Sequence, residues 1–367
     1  LSPEVVHFHH YHRVGVESFR AARLAAPDAV ICLTFHEMMA ICMADGQMVK
    51  RNTRELCHSA SSISCNKCFP ELRPEFVTLR AARLKAALEE CNLFIFPSEF
   101  IADRYVEWGL APEKCVVIPN GQINLGADFD RTQHSPAVNR FGFFGQLIDN
   151  KGVDLILEAL LILGQEQRIP ESGLVIEING GNKHYASKGY LEKIMRQVDD
   201  LKKIQGGRIE IRERGPYSRD QLAERMRVVD WVLVPSTWWE IFGLVVSEAW
   251  MFGRPVVAAA IAGLKERVQP NVNGFTFPVR DSRALADLLA SLAGNDQQWL
   301  EVNRAIEQPW TEMEMLEAHQ KVWREIQQKR DIEIVPQDVK PQSRKRRKMK
   351  MPQAPKNELE RYAVPAV

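Results

Sequence analysis

The sequence predicts an α/β protein with two doubly wound domains, and three observations support this fold class. Short apolar runs alternate with helical patterns over residues 1–118, and a second alternation of this kind starts after residue 139. Each run is rich in β-branched or aromatic residues and ends in polar or turn residues, as buried parallel strands do. With 367 residues, 45% of them hydrophobic, the chain is long enough to form two hydrophobic cores.

The first alternation predicts four strands and two helices. The strands are expected at residues 5–9, 29–34, 93–96 and 115–118, and the helices at residues 79–90 and 98–108. A doubly wound sheet usually has about five or six strands, and no glycine-rich opening turn follows any of these four. We therefore expect residues 1–125 to form a partial domain that is truncated at its start.

The second alternation predicts a complete sheet within residues 140–308. Its strands are expected at residues 141–144, 174–178, 209–211, 231–234 and 255–258, and its helices at residues 153–163, 191–205, 218–228, 243–252 and 282–293. Strands separated by helices in this way indicate a second doubly wound sheet. The polar stretch before it, residues 126–139, has no clear period and predicts a linker.

Two segments follow the second domain. A helix is expected within residues 309–330 and is expected to pack back toward the first domain. Residues 331–367 are proline-rich and polar and contain a basic run at 344–350, which predicts a disordered tail. The basic run is either a solvated linker to a further domain or a contact with anionic lipid.

Charge and cysteine content narrow the function classes. The 48 Lys and Arg residues nearly balance the 47 Asp and Glu residues, so the chain as a whole is no polyanion binder and no nucleic-acid partner is expected. No apolar run reaches the roughly 20 residues that span a bilayer, and the first residues lack a signal-peptide pattern. We therefore expect a cytoplasmic protein, with peripheral contact at the inner face of the membrane if the basic run binds lipid. Without a secretory signal, the seven cysteines favour reduced thiols or a metal site over a disulfide framework.

The strongest candidate site lies where the strand at 231–234 leads into a loop and a helix begins near Gly243. Ligands bind at the carboxyl ends of strands in open α/β sheets, and a helix N-terminus there suits a phosphate. Glu240 lies in the loop and Glu248 in the second turn of the helix, so we expect both carboxylates to face one crevice at different depths. Carboxylates accept hydrogen bonds from vicinal hydroxyls of a sugar or ribose. Taken alone, a helix-cap acid and a solvated acid would be the simpler interpretation.

The surroundings of the two glutamates resemble glycosyltransferases of family 4 (group 1), which have the GT-B fold. Their signature is Glu-x7-Glu, and it is followed here at the family's spacing by residues 253–257, 262–266 and 273–275. The resemblance covers everything except the tail and the missing start. It implies two Rossmann-like domains that face a cleft. It also implies metal-independent, retaining transfer of a sugar from a nucleotide-diphosphate sugar to a glycan or lipid-linked acceptor, in polysaccharide biosynthesis for the bacterial cell envelope.

The resemblance also implies roles for individual residues. Glu240 would contact the hydroxyls of the donor sugar, and Glu248 would hold the nucleotide ribose. The donor's sugar hydroxyls and phosphate oxygens would be bound by the backbone that joins these glutamates, namely Ile241, Phe242, Gly243 and Leu244.

A second constellation, Gly145-Gln146 with Lys151, follows a strand and opens a helix. Lys151 is well placed there as a point charge for a diphosphate, although a solvated surface lysine is the simpler interpretation of the residue alone. Family members have Arg at the place of Gln146, and that Arg and the lysine together neutralise the leaving diphosphate. Because Gln donates a hydrogen bond without a charge, we expect weaker affinity for phosphate.

His36 follows a strand in a position where the family has His-Asp, with the His near the transferring centre. Glu37 departs from that pattern by one methylene. The earlier histidines, His7, His9, His10 and His12, are interpreted as a strand entering the cleft rather than as metal ligands.

A cysteine-rich insert is expected at residues 42–68. The spacing Cys42-x14-Cys57-x7-Cys65-x2-Cys68 fits either a structural, non-catalytic Zn²⁺ site or free thiols that stabilise a loop. The Asp-x-Asp at 128–130 is the metal–diphosphate signature of a different glycosyltransferase fold, but here it lies in the predicted linker and is interpreted as linker acidity. The family resemblance implies that catalysis requires no metal or other cofactor.

Two other functions remain open. A nucleotide-sugar 2-epimerase would use the same architecture without an acceptor, and the Glu-x7-Glu loop argues against it. The chain is alternatively a non-catalytic module that binds nucleotide sugar or carbohydrate within a larger protein. The truncated first domain keeps that hypothesis open, and the chain as given is expected to be inactive alone if the missing start is required.

Overall fold

The computed structural model describes residues 2–204 and 207–334. It contains two parallel sheets, each covered by helices, which confirms the predicted α/β class. The predicted basic tail, apart from residues 331–334, lies outside the described residues. None of the helices within the described ranges is both long and apolar enough to cross a membrane.

The first sheet has four parallel strands in the order β1-β2-β3-β4. They are β1 (Val5–Phe8), β2 (Val30–Thr34), β3 (Leu93–Phe96) and β4 (Cys115–Val117). The helices of this half are α1 (Glu17–Ala25), α2 (Ser62–Cys68), α3 (Pro74–Leu88) and α4 (Glu99–Trp108). Every residue of β2 and β3 is buried, because both faces of a parallel sheet are covered, and this explains their unbroken apolar sequence.

Helix ends in this half follow local chemistry. Pro74 occupies the first turn of α3, where its missing N–H costs nothing and its fixed φ suits a helix. The helix therefore begins five residues before the start expected at residue 79. Gly109 ends α4 in the left-handed region, with φ at 112°, where an L side chain would be strained.

The second sheet has six parallel strands in the order β10-β9-β8-β5-β6-β7. They are β5 (Arg140–Gln146), β6 (Leu174–Gly181), β7 (Ile209–Gly215), β8 (Trp231–Val234), β9 (Val256–Ala259) and β10 (Gly274–Phe277). Its helices are α5 (Val153–Gln165), α6 (Lys188–Lys202), α7 (Leu222–Arg227), α8 (Leu244–Met251), α9 (Ala262–Arg267), α10 (Ser282–Leu292) and α11 (Asp296–Ala305).

The strand order of the second sheet creates its ligand-binding position. From β5 the chain proceeds outward through β6 and β7, and it then returns to the other side of β5 with β8. The order therefore reverses between β5 and β8, and ligands bind beyond the carboxyl ends of strands at such a switch point. The loops that follow β5 and β8 carry Lys151 and Glu240 respectively, so the topology brings two predicted site residues together.

Residues 126–139 connect the two sheets and are anchored on the second one. The guanidinium of Arg131 donates to the carbonyls of Trp250 and Ile306. Asp130 accepts hydrogen bonds from the backbone N–H and hydroxyl of Thr132. The Asp-x-Asp sequence thus forms a local turn within the connection.

The last helix, α12 (Glu312–Ile334), returns to the first sheet. Met315, Val322 and Trp323 pack against buried residues of that sheet, including Cys32 and Ile95. The backbone of Gln122 also bonds to the segment just before α12, through the carbonyl of Trp310.

Candidate functional site

A cavity of about 350 Å³, here called the donor cavity, opens where the carboxyl ends of both sheets meet. From the first half it is lined by His36, Pro97 and Asn120, which follow β2, β3 and β4. From the second half it is lined by Phe143, Phe144, Lys151, Leu233, Val234, Pro235, Ser236 and residues 238–245. The two sheets therefore face one cleft, and the predicted Lys151, Glu240 and Ile241–Leu244 backbone lie together in it.

Glu240 and Lys151 form an ion pair inside the donor cavity. The Lys151 Nζ lies 2.6 Å from Glu240 Oε2, and the same oxygen accepts from Ser236 Oγ at 3.2 Å and Trp238 Nε1 at 3.3 Å. Burial alone raises the pKa of Glu240, but the Lys151 ammonium and these hydrogen bonds outweigh it and hold the pKa below its ordinary value. Glu240 is therefore an ionised carboxylate with defined donors.

The loops that carry this pair are locked to each other. Gly152 has φ at 71°, and a Cβ there would lie 2.0 Å from the carbonyl oxygen of Pro235, so only glycine fits. The N–H of Thr237 donates to the carbonyl of Asn150 at 3.0 Å. These contacts fix Lys151 opposite Glu240 before any ligand is bound.

Gly243 begins α8 in the left-handed region, with φ at 75°. A Cβ at this position would lie 2.6 Å from Leu264 Cδ2. No side chain caps this helix start, so its first N–H groups and positive dipole end are available to an anion. The expectation of a phosphate-compatible helix start thus has a structural basis.

Glu248 lies one helical turn beyond Leu244 and lines a second cavity of about 320 Å³. That cavity, here called the Glu248 cavity, is also lined by Gln122, Ile123, Leu125, Tyr217, Arg219, Leu222 and Met251. Burial raises the pKa of Glu248, and Arg219 offsets this in part. Leu244, at the donor cavity, and Glu248 are four residues apart on α8, which is about one helical turn. That Glu240 and Glu248 face one crevice at different depths therefore stays a prediction.

His36 lines the donor cavity and belongs to a cluster of imidazoles. Its Nε2 lies 3.5 Å from His9 Nδ1, and the His7 ring lies 4.2 Å from the His9 ring and 5.4 Å from that of His319 on α12. Burial, and then the neighbouring histidines, lower the pKa of His36 and bring that of His7 to about 3. His7 and His36 are therefore neutral at neutral pH, and His36 offers one nitrogen donor and one acceptor.

Glu37 does not line the donor cavity. Its carboxylate accepts from the N–H of Met39, and its backbone carbonyl accepts from the Tyr105 hydroxyl at 3.0 Å. Burial raises the pKa of Glu37, while the Met39 N–H and Arg80 partly lower it. These contacts give Glu37 a part in holding the turn that presents His36.

Both halves of the chain match families of glycosyltransferases. The family described as "Glycosyltransferase Family 4" matches residues 1–122, and the family described as "Glycosyl transferases group 1" matches residues 138–295.

The chain belongs to the family 4 (group 1) glycosyltransferases.

Named relatives agree with this assignment over part of their length. The chain is 34% identical over 154 residues to the D-inositol 3-phosphate glycosyltransferase of Xylanimonas cellulosilytica, covering 42% of this chain and 34% of that protein. It is 30% identical over 197 residues to the D-inositol 3-phosphate glycosyltransferase of Kribbella flavida, covering 51% of this chain and 44% of the relative. The aligned segments thus span less than half the length of these relatives.

Solved structures confirm the GT-B fold. HepE from Anabaena, solved in complex with UDP, has a TM-score of 0.63 at 19% identity, over 88% of this chain and 79% of HepE. A glycosyltransferase from Rickettsia africae has a TM-score of 0.60 at 17% identity, covering 88% and 76% of the two chains. Sucrose-phosphate synthase from Thermosynechococcus elongatus has a TM-score of 0.58 at 20% identity, covering 88% and 73%. The predicted architecture of two Rossmann-like domains facing a cleft is therefore confirmed.

Two donor-site residues expected from the family pattern lie outside both cavities. Gly145 has φ at 153°, and Gln146 is exposed at the end of β5, where it pairs with Gly181. The family resemblance places phosphate contacts here, and for Gly145 and Gln146 that role stays a prediction.

The cysteine-rich insert does not form a ready-made metal site. Across the described stretches of the chain, no three His, Cys, Asp or Glu side chains are grouped so that they could hold one metal ion. Cys42, Cys57, Cys65 and Cys68 are free and partly buried, and Cys57 Sγ bonds instead to the Ser59 carbonyl at 3.3 Å. Burial raises the pKa of the Cys42 and Cys57 thiols, which favours the protonated form. These side-chain positions therefore do not form a zinc site as they stand, and zinc binding at the four cysteines stays a prediction. Within the described residues, His7, His9, His10 and His12 likewise form no group that could hold a metal ion.

The insert also contacts the loop between β8 and α8, here called the donor loop (residues 235–243). No feature of the sequence indicates this contact. The indole N–H of Trp239, next to Glu240, donates to the carbonyls of Met48 at 3.1 Å and Cys57 at 3.0 Å. The Trp239 ring stacks on Phe100 with centroids 5.2 Å apart. The insert therefore forms one wall that fixes the loop carrying Glu240.

Other contacts join the two halves of the chain around the cleft. Ser98 Oγ donates to the carbonyl of Ile241 at 2.6 Å. The carboxylate of Glu266 accepts from the N–H groups of Glu99 and Phe100 at the start of α4. An acid at a helix N-terminus is stabilising, so these bonds hold the cleft in one arrangement.

Arg267, at the end of α9, was not among the predicted site residues. Its guanidinium donates to the carbonyls of Phe242 at 3.1 Å and Gly243 at 2.9 Å, and to Ser247 Oγ at 2.7 Å. Burial lowers the pKa of Arg267 to about 9. Arginine is a common surface residue, so only the folded arrangement distinguishes this one from the other arginines.

Proposed function

We propose that the chain carries the donor site and transfer centre of a glycosyltransferase that uses a nucleotide-diphosphate sugar. The observation that carries the proposal is the partly buried Glu240–Lys151 pair beside the uncapped start of α8, at the switch point of the second sheet. Membership of family 4 supports it, as does the fold shared with HepE, which has been solved with UDP and with UDP-glucose.

The two cavities divide the donor between them. The nucleotide ribose binds in the Glu248 cavity, where the Glu248 carboxylate accepts hydrogen bonds from its hydroxyls. The diphosphate lies against the start of α8 and Lys151, and the sugar lies near Glu240 and His36 in the donor cavity. The cavities are one helical turn apart on α8, which suits a ligand that extends from ribose to sugar.

Donor binding redistributes the charges of the site. The diphosphate competes with Glu240 for the Lys151 ammonium, because the diphosphate and the Glu240 carboxylate are both anions that this single ammonium can bind. As Lys151 shifts to the phosphate, the Glu240 carboxylate becomes free to accept hydrogen bonds from sugar hydroxyls. Its ionised state follows from Lys151 and its hydrogen bonds. Its negative charge then also stabilises the positive charge that develops on the anomeric carbon.

The transfer step is proposed to retain the anomeric configuration. The bond from the anomeric carbon to the diphosphate oxygen breaks, and a bond to the acceptor oxygen forms on the same face of the sugar. The acceptor proton passes to the leaving phosphate oxygen, so no covalent enzyme intermediate forms. Lys151 and the helix start stabilise the charge on the leaving diphosphate, so no metal ion is required for it.

The acceptor enters from the first half of the chain. His36 and Asn120 line the donor cavity from that side and offer polar groups to an incoming hydroxyl. We propose a glycan or lipid-linked saccharide as acceptor, in bacterial cell-envelope polysaccharide synthesis at the cytoplasmic face of the membrane. The family resemblance, rather than any one contact, supports this choice.

The test is turnover of a panel of UDP- and GDP-sugars by wild type and by Glu240→Ala and Glu240→Gln variants. We expect hydrolysis or transfer by wild type, with at least a hundredfold loss in either variant. Binding of a donor by wild type without any turnover would favour a non-catalytic nucleotide-sugar module, and acceptor-free epimerised donor would favour an epimerase. With an α-configured donor, NMR of the product should report an α-linkage, whereas a β-linkage would overturn retention.

A further inference from the structure

The charge of the donor cavity is too low for the ligand proposed to bind there. Lys151 is the only Lys or Arg among the described residues that line it, and its charge is already balanced by Glu240. His36 is neutral at neutral pH because burial and neighbouring imidazoles lower its pKa. A bound diphosphate brings about two further negative charges, so another source of positive potential is needed close to the start of α8.

Arg267 is a cation at that position with no acidic partner. Its hydrogen bonds go to two carbonyls of the donor loop and to the Ser247 hydroxyl, and no carboxylate in the described part of the chain forms an ion pair with it. The guanidinium carbon lies 3.9 Å from the centroid of the Phe242 ring and 5.0 Å from that of Trp250. A charge held among aromatic rings without a counterion keeps a long-range field, since little water screens it.

The same bonds orient the backbone of the donor loop. In a trans peptide the N–H points opposite to the C=O of the preceding residue. Because the carbonyls of Phe242 and Gly243 both accept from Arg267, the N–H groups of Gly243 and Leu244 are turned away from it. Neither N–H finds an acceptor among the described residues. Both residues line the donor cavity, and two neighbouring N–H groups aimed the same way bind an anion.

We infer that Arg267 is a positioning residue for the donor diphosphate, holding these two N–H groups toward it and adding a partly buried positive charge behind them. This inference rests on the proposed function. It assigns to α9 a part of the phosphate-binding charge that Gln146, an uncharged residue at the end of β5, does not supply.

The test compares the affinities of UDP, UMP and uridine, measured by calorimetry, for wild type and for Arg267→Met and Arg267→Lys. Because the role is electrostatic, we expect Arg267→Met to weaken UDP binding about tenfold, UMP binding less, and uridine binding hardly at all. Arg267→Lys keeps the charge but not the pair of carbonyl bonds, so we expect an intermediate loss. If wild type prefers guanine nucleotides, GDP, GMP and guanosine replace the uridine series.

Two further variants separate charge from folding. Gln146→Arg, added to Arg267→Met, should restore part of the UDP affinity without changing that for uridine. Arg254→Met removes a fully buried arginine, which bonds to the carbonyls of Met226 and Gln133 and lines neither cavity. It should leave the ratio of UDP to uridine affinity unchanged.

Equal loss for UDP, UMP and uridine in Arg267→Met, or an unchanged UDP affinity, would overturn the inference. If Arg267→Met does not fold, an Arg267→Lys variant with wild-type UDP-to-uridine ratio overturns it instead. Failure of wild type to bind any nucleotide would contradict the proposed function, so the two failures are distinguishable.

Discussion

Replacing Lys151 by Met should make the stability of the protein depend on pH in a way that wild type does not. In wild type the ammonium lies 2.6 Å from the Glu240 carboxylate, and the two side chains are only 24% and 15% exposed. The variant leaves Glu240 with the Ser236 and Trp238 hydrogen bonds but without its counterion.

The magnitude follows from the burial of the pair. Removing one partner of a fully buried ion pair costs about 3–5 kcal/mol, and the partial exposure of Lys151 reduces this to roughly 2–3 kcal/mol at pH 7. In wild type the pKa of Glu240 is below its unfolded value, so its contribution to stability is present above that value and lost as pH falls through the folded pKa. Without Lys151, burial becomes the dominant effect and raises the pKa. The folded state of the variant then favours a protonated Glu240, so the free energy of unfolding of the variant falls as pH rises.

The assay is urea unfolding of wild type and Lys151→Met at pH 4 and pH 7, with Lys183→Met as a control. Lys183 also pairs with a glutamate, Glu213, but both side chains are more than half exposed, so its loss should cost less than about 1 kcal/mol at either pH. For Lys151→Met, the loss of unfolding free energy should be about 2–3 kcal/mol at pH 7 and about 1 kcal/mol or less at pH 4. An equal loss at both pH values would refute the ion pair as the main interaction of Glu240.

Two further substitutions test the donor loop. Gly243→Ala places a Cβ against Leu264 at a residue with φ at 75°. Calorimetry should therefore report a loss of unfolding free energy of about 2 kcal/mol, and a chromatographic assay should report slower turnover. An unchanged melting curve would contradict the left-handed backbone at Gly243. Trp239→Phe keeps the stacking on Phe100 but removes the hydrogen bonds to Met48 and Cys57. The free energy of unfolding should therefore fall by about 1 kcal/mol, and limited proteolysis should cut the insert at residues 42–68 faster. Cleavage at the wild-type rate would show that Trp239 does not hold the insert.

Much of the fold was predictable because its signals are local. Strands such as β2 and β3 are buried on both faces, so their apolar sequences stand out from the helices around them. The strand β10 was missed because it has four residues and begins with Gly274, directly after Asn273, which reads as a turn. The short helix α9 was missed for a similar reason, since its six residues include Gly263.

The candidate site was predictable only for residues that lie in loops directly after predicted strands. Glu240, Gly243 and Lys151 lie in loops after β8 and β5, and parallel-sheet topology brings such loops together. Trp239 reaches carbonyls that lie more than 180 positions away, and Arg267 acts through backbone atoms, so no spacing in the sequence marks either one.

The motif also does not predict that Glu240 and Glu248 line separate cavities. The signature fixes the number of residues between Glu240 and Glu248, but it does not say how α8 divides the space beside it. The structure gives each carboxylate its own cavity. This arrangement fits an extended ligand with ribose and sugar at opposite ends.

The measurement that tests the account most directly is a crystal structure of the protein with UDP bound. The account predicts the diphosphate at the start of α8, within hydrogen-bond distance of Lys151 Nζ and of the N–H groups of Gly243 and Leu244, with the ribose hydroxyls on Glu248. UDP bound elsewhere, or bound with Lys151 still paired to Glu240 and no phosphate at the start of α8, would contradict it.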